Sequence, residues 1–380
     1  MKKNLLLLLI IFCGYNVKSQ SKILDAKDAV KCRTYDNIKN AVKADPTLIS
    51  KWKLEGERQR SLSSIKPFQK LGDFQQEIII PVVFHIVDVA ANQKWVSDRD
   101  VYTQIEILNE AYRGKKASIY KKVIPKEMWD LVGKINIKFV LARRTPSGAL
   151  TSGIERRNIK TPAYKSIKST SKGGIDPWDV TKYINIWVGT FSGADEGLLG
   201  VATPPFYTSD GPQGIVIGTA TLPYSTNVQR SYYASYNEGA TLVHELGHYF
   251  YLWHTFGDMT TCNNDDFWTQ PGWDLPNGAG PEGDDTPEEK DGGNAIFGNP
   301  SQNYSDGCTN LSYGEMYGSF MNYFDDRALF MFSKGHMKRV QGCIELYRPG
   351  LVNSSGAIAY VLCNALKQLH FCTTISFHRE

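Results

Sequence analysis

His244, Glu245 and His248 are spaced so that two imidazoles stand one turn apart on one face of a helix, with a carboxylate between them. Both rings can reach one ion, and the glutamate is free to exchange a proton with water beside it. A third histidine, His254, follows six residues after His248. On a continuous helix that offset would carry it to roughly the opposite face. If it is to ligate, the chain must leave the helix just after Phe250 and turn back. The chain holds seven histidines in 380 residues, and three of them lie between positions 244 and 254. Incidental histidines on an ordinary helix would not cluster in this way. A downstream glutamate is the rival third ligand. The residues after His254 are rich in Gly, Pro, Asn and Asp and have no helical period, which favours His254.

Apolar content of 42% and charged content of 22% belong to an ordinary globular chain. The net charge of +4, without a long basic block, argues against a nucleic-acid partner. Residues 1–19 read as a secretory signal: Lys2 and Lys3, an apolar run over 5–12, and a small-residue cleavage site at 17–19. That run is too short to span a bilayer, and no other stretch qualifies. Export permits disulfides among Cys32, Cys262, Cys308, Cys343, Cys363 and Cys372. Cys262 and Cys308 flank a long loop region and are one reasonable pair; Cys363 and Cys372 are another.

The elements that must position the histidines follow from hydrophobic pattern. Residues 20–76 are polar and Lys-rich, with helical spacing over 36–53 broken at Pro46, and form a segment apart from any sheet core. Residues 78–87 are a near-continuous apolar run, read as a strand buried on both faces, with Pro81 unpaired on one side. His85 within it reads as a satisfied sheet histidine. Ser97 caps a helix carrying Val101, Ile105, Leu108 and Tyr112 on one face. Further strands are expected over 135–140, 183–188, 198–203 and 215–217, the active helix over 237–250, and a last helix over 333–347 with His336 on its exposed first turn. Residues 257–312 are loop-like. Within them Glu282, Asp284, Asp285 and Thr286 gather oxygen ligands suited to calcium, or form a solvated acidic turn.

Several segments together resemble the pappalysin family of metzincin metalloproteases. Residues 239–243 lead into the histidine motif and Thr255-Phe256 follow it. Residues 319–323, Ser-Phe-Met-Asn-Tyr, are similar to the family's Met-turn, and residues 80–85 to its first strand. Asp285-Thr286-Pro287 is similar to its calcium-associated turn. The likeness spans roughly residues 77–349. It implies an α/β zincin catalytic domain: a twisted mixed sheet, backing and active-site helices, an irregular C-terminal subdomain, and a small pro-segment before it. Residues 1–19 would then be signal peptide, 20–76 pro-segment, 77–349 the catalytic domain and 350–380 a tail of unknown role.

The resemblance implies zinc on His244, His248 and His254, Glu245 as general base and acid, Met321 as the floor beneath the metal, and Tyr323 near the oxyanion. It implies that an extended substrate adds to an edge strand near 198–203, and that Cys32 occupies the metal in the latent form. A thiolate there silences the precursor, and Arg33 beside it would favour the thiolate. The alternative is a disulfide from Cys32 to Cys343 or another cysteine. Three positions depart from the family pattern. Tyr251 replaces the motif's glycine, where the chain reversal calls for positive φ at a cost of about 1–2 kcal/mol for tyrosine. Arg33 replaces the glycine after the switch cysteine, and the spacing before Asp285 is unusual. The expected protein is a monomeric, secreted, latent zinc endopeptidase acting on protein or peptide substrates by Glu245-assisted attack of water. A zinc-bearing binding protein without activity and a zinc hydrolase of non-peptide substrates are the alternatives.

Overall fold

Eleven consecutive buried residues, Ile78–Asp88, form the longest strand of the sheet. The computed structural model describes residues 22–48, 50–51, 54, 77–90, 96–205, 212–224, 230–256, 262, 285–287, 289–290, 304–305, 307–308, 310–311, 314–352 and 354–357. The signal stretch, Glu282, Asp284, Cys363 and Cys372 lie outside the described residues, as does the tail beyond 357. In chain order the main elements are β1 (Ile23–Leu24), α1 (Thr34–Ala44), β2 (Ile78–Asp88), α2 (Asp98–Tyr112), α3 (Lys115–Tyr120) and α4 (Lys126–Leu131). They continue with β3 (Ile137–Leu141), β4 (Ile154–Asn158), β5 (Ile184–Gly189), β6 (Gly200–Ala202), β7 (Ile215–Gly218), β8 (Tyr232–Tyr233), α5 (Ala240–Tyr249) and α6 (Lys334–Tyr347).

The six-stranded sheet runs β3-β2-β5-β7-β6, with β4 also pairing β2. Every pairing is parallel except that of β6 with β7. Parallel strands are covered on both faces, which explains why β2 reads as a continuous apolar run rather than an alternation. Along it Ile80, Val82, Phe84 and Ile86 enter the main core under the helices, while Val83 and Val87 join smaller clusters on the other face. The first four residues of β2 pair with β3 alone, since β5 pairing starts at Val82, and this accommodates Pro81. His85 is fully buried and bridges Glu155 (2.8 Å) and Asn185 (2.9 Å), as a sheet histidine should.

Helix α2 begins at a capping box in which Ser97 and Asp100 exchange hydrogen bonds, and its buried stripe contains the residues the pattern picked out. The N-terminal segment departs from expectation. It does not stand apart from the core: Tyr35, Ile38 and Ala41 of α1 pack into the main core, and β1 pairs β8.

His336 also departs from expectation. It is buried rather than exposed, because its Nδ1 accepts from Ser333 N–H (3.2 Å) while Ser333 caps α6. Burial pulls its pKa from 6.5 down to about 4. Folded His336 is therefore neutral, and its contribution is complete above pH 6.5. Between 6.5 and about 4 only the unfolded chain takes the proton, so stability falls with pH by up to about 1.4 kcal/mol per unit. Comparing denaturant midpoints of the full chain and His336→Gln over that range should show a shallower acid loss in the variant; equal slopes would refute the linkage.

Candidate active site

Helix α5 is buried at every position and delivers two imidazoles, His244 and His248, on one face. It ends at Tyr249 in a left-handed turn: Leu252 N–H donates to Gly247 O (2.9 Å) and Tyr251 N–H to His248 O (2.9 Å). This paired 6→1 and 5→2 pattern needs a residue of positive φ just past the cap. Tyr251 supplies it at φ 72°, the sole non-glycine among the described residues with positive φ. The reversal brings His254 back, and the three Nε2 atoms stand 3.0, 3.1 and 3.2 Å apart.

The hydrogen bonds on the far side of the rings fix what those nitrogens are. His244 Nδ1 donates to Phe320 O (2.7 Å) and His248 Nδ1 to Leu252 O (2.8 Å), so their Nε2 atoms carry lone pairs. Two acceptors at 3.0 Å without a proton between them repel unless a cation sits among them. Burial and the neighbouring imidazoles hold the pKa of His244 down at about 3 and that of His248 well below the usual range, which keeps both neutral for ligation. The Sγ of Cys32 completes a buried set of four, all four ligand atoms lying within 4.8 Å of one another. Three imidazoles and a sulphur fit a tetrahedral zinc ion.

Glu245 is fully buried, and burial pushes its pKa up to about 8. Its Oε2 accepts from Thr34 Oγ1 (3.1 Å), whose oxygen in turn accepts from Ala202 N–H on β6 (2.8 Å). A Cβ on Gly200 would come 2.6 Å from Glu245 Cγ, so only glycine lets the strand pass this close. Gly247 plays the same part toward Met321, whose Sδ lies where a methyl would be. Met321 is buried beneath α5, and the Tyr323 ring centroid lies 4.6 Å from that of His254 and 5.8 Å from that of His244.

Cys32 and Cys343 are both free of disulfides, so the alternative pairing is absent. Burial, then the Glu245 carboxylate, raises the Cys32 thiol. Arg33 does not turn to the sulphur as expected; its guanidinium is committed to Asp195 and to Ala194 O (3.1 Å). Cys262 and Cys308 form a disulfide. Asp285 accepts from Gly335 N–H (2.8 Å) at the start of α6.

Sequence reasoning missed the residues that hold α5 in place. Asp326 accepts from Glu238 N–H (2.9 Å) and Ala240 N–H (3.2 Å) at its start, where Gly239 offers no side-chain cap. Arg348 donates to Tyr249 O (3.1 Å) at its end and stacks on the Tyr249 ring, 3.5 Å from the centroid. Each charge matches its end of the helix dipole. Glu289, fully buried, accepts from Thr255 Oγ1 (2.7 Å) and Asn322 Nδ2 (2.9 Å), tying the His254 loop to the turn at Met321. No local period marks these partners, since they lie 33 to 99 residues from what they hold.

The family described as pregnancy-associated plasma protein-A matches residues 174–345, which include every residue of the three-histidine site. Mature mirolysin of Tannerella forsythia, solved with a cleaved peptide, is 30% identical, with 73% of this chain and 99% of that chain covered at a TM-score of 0.58. The chain belongs to the pappalysin family of metzincins. A promirolysin variant of the same organism is 28% identical at a TM-score of 0.67, covering 87% of this chain and 98% of that one. An extracellular metalloprotease of Arthroderma benhamiae is 26% identical over 283 residues, 73% of this chain and 76% of its own length. As a pappalysin the chain is a zinc metalloendopeptidase, and peptides are its substrates. No described helix is long and apolar enough to cross a membrane.

Family membership makes Tyr251→Gly an instructive change. Relief of strain would return about 1–2 kcal/mol. Tyr251 is only 5% exposed and packs edge-on to Trp253, so deleting the ring should cost about 3–5 kcal/mol. Lost packing outweighs relieved strain. Thermal unfolding of the full chain should therefore show Tyr251→Gly less stable than wild type, and a gain in stability would contradict this balance.

Proposed function

We propose that this chain is a secreted endopeptidase made as a latent precursor, with residues 1–19 as signal, 20–76 as pro-segment and 77–349 as the catalytic domain. The observation that carries the reading is the convergence of three buried Nε2 atoms with the Cys32 sulphur, beside a buried glutamate. His244, His248 and His254 would hold zinc, which would supply Lewis acidity toward water and the scissile carbonyl. Glu245 takes a proton from the attacking water on its carboxylate and returns it to the leaving amine. Tyr323, beside His254 and His244, is the residue that steadies the developing oxyanion. Met321 packs under α5 and keeps the floor dry.

Latency follows from the N-terminal segment. Cys32 brings sulphur to the position the reacting water needs, and Thr34 engages the carboxylate that would take its proton. The greater coverage of this chain by promirolysin than by the mature enzyme supports a pro-segment. The extracellular relatives support export. A calcium site on Glu282, Asp284, Asp285 and Thr286 rests on the spacing of oxygen ligands and the resemblance alone, and a monomer is the expected state.

Two experiments test this. Glu245→Gln, activated like wild type, should keep its metal and lose casein hydrolysis by about 10²–10⁴-fold, as a chelator also should; a variant that still digests casein would unseat Glu245 as the base. Cys32→Ala should make the uncut full chain hydrolyse casein where uncut wild type does not, and an inert variant would remove Cys32 from the latency.

A further inference from the structure

We propose that the exposed face of α3, with the turn after it, docks this chain on an anionic lipid bilayer. Residues 113–138 hold eight Lys or Arg and two acidic residues, Glu127 and Asp130. This one stretch therefore carries more net positive charge than the whole chain, which stands at +4. Along α3 and just past its end, Lys115, Ser118, Ile119 and Lys122 are exposed. At about 100° per residue these four fall on one face, and Val123 lies one turn beyond Ile119. Ile119 is 74% exposed and Val123 50%, so a compact apolar area faces water. The opposite face is committed to the fold. Ala117 is buried, the Tyr120 ring packs on Phe330 with centroids 5.4 Å apart, and Lys116 Nζ donates to Asp326 O (2.7 Å).

Apolar side chains ringed by ammonium groups call for a partner with negative charge at its surface and an apolar layer beneath. An anionic bilayer offers both: Ile119 and Val123 enter the acyl boundary while the lysine heads stay among the phosphates. Among the described residues, Lys115, Lys122 and Lys134 form no ion pair. Lys134 belongs to the same patch, since its Cβ lies 3.6 Å from where a Cβ on Gly114 would stand at the start of α3. Lys121 lies over the Trp129 ring (4.9 Å to the centroid) and extends the patch onto α4. A nucleic acid would use the charge and leave Ile119 and Val123 in water. Lys116 ties α3 to Asp326, which borders the pocket beside His244 and Tyr323, so a docked chain holds its cleft close to the surface.

The test floats the full chain with vesicles of phosphatidylcholine, either pure or with about a third phosphatidylglycerol. Wild type should bind the anionic vesicles alone, and less tightly as salt rises. The double variant Lys115→Gln with Lys122→Gln should weaken binding about 30-fold, and Ile119→Ser about tenfold. All three side chains are exposed, so casein hydrolysis after activation should stay at the wild-type level in both variants, which separates docking from damage to the fold. Wild type that fails to float with anionic vesicles overturns the proposal. An Ile119→Ser chain that floats like wild type also overturns it, as does equal retention of wild type by duplex DNA, because either outcome leaves a general polyanion surface in place of a bilayer one.

Discussion

Nitrogen lone pairs pointed at one another from two buried rings, with a third imidazole closing on them, repel one another, and much of this fold serves to hold them there. Each of two rings is turned by a backbone carbonyl at its back, Phe320 O for His244 and Leu252 O for His248. Those carbonyls belong to the turn at Met321 and to the reversal after α5, so tautomer and ring orientation are properties of the backbone. An ion that binds all three nitrogens relieves a repulsion the protein has already imposed. That is preorganisation in its electrostatic form.

Helix α5 bears the consequence, because a shift of its axis would move both rings. It is clamped at both ends, by the Asp326 carboxyl on the N–H groups at its start and by the Arg348 guanidinium on a carbonyl at its finish. Gln104 of the backing helix α2 also donates to Gly239 O (3.0 Å). Burial pushes the pKa of Asp326 up to about 7, and the two helix N–H donors and Lys116 work against that rise. From the other side, Glu289 bonds the loop carrying His254 to Asn322. The scaffold is thus stitched across the sequence wherever the helix itself offers no cap.

What could be read beforehand divides along the same line. The break after Phe250 and the strained Tyr251 were legible because the histidine spacing admits no straight helix. The strands of the sheet were legible because buried parallel strands leave runs of Ile and Val. Asp326, Arg348, Glu289, Thr34 and Asp195 were not. Each acts on a partner distant in sequence, and an isolated polar residue has no period to betray it. Gly200 and Gly247 were equally mute, since their need for glycine comes from Glu245 and Met321 approaching from elsewhere. His336 misled, because a capping histidine has the same sequence signature as an exposed one.

The edge strand β6 has its outer rim occupied by the chain's own N-terminal residues. Val30 N–H donates to Gly197 O (2.8 Å), Leu199 N–H donates to Val30 O (2.9 Å), and Thr34 takes Ala202 N–H. Excising that segment would bare a row of donors and acceptors at the border of a largely parallel sheet, the kind of border that recruits other chains. The same residues that set the Cys32 sulphur among the three histidines therefore also cover the border of the sheet. A chain stripped of them would be vulnerable to clumping along that border.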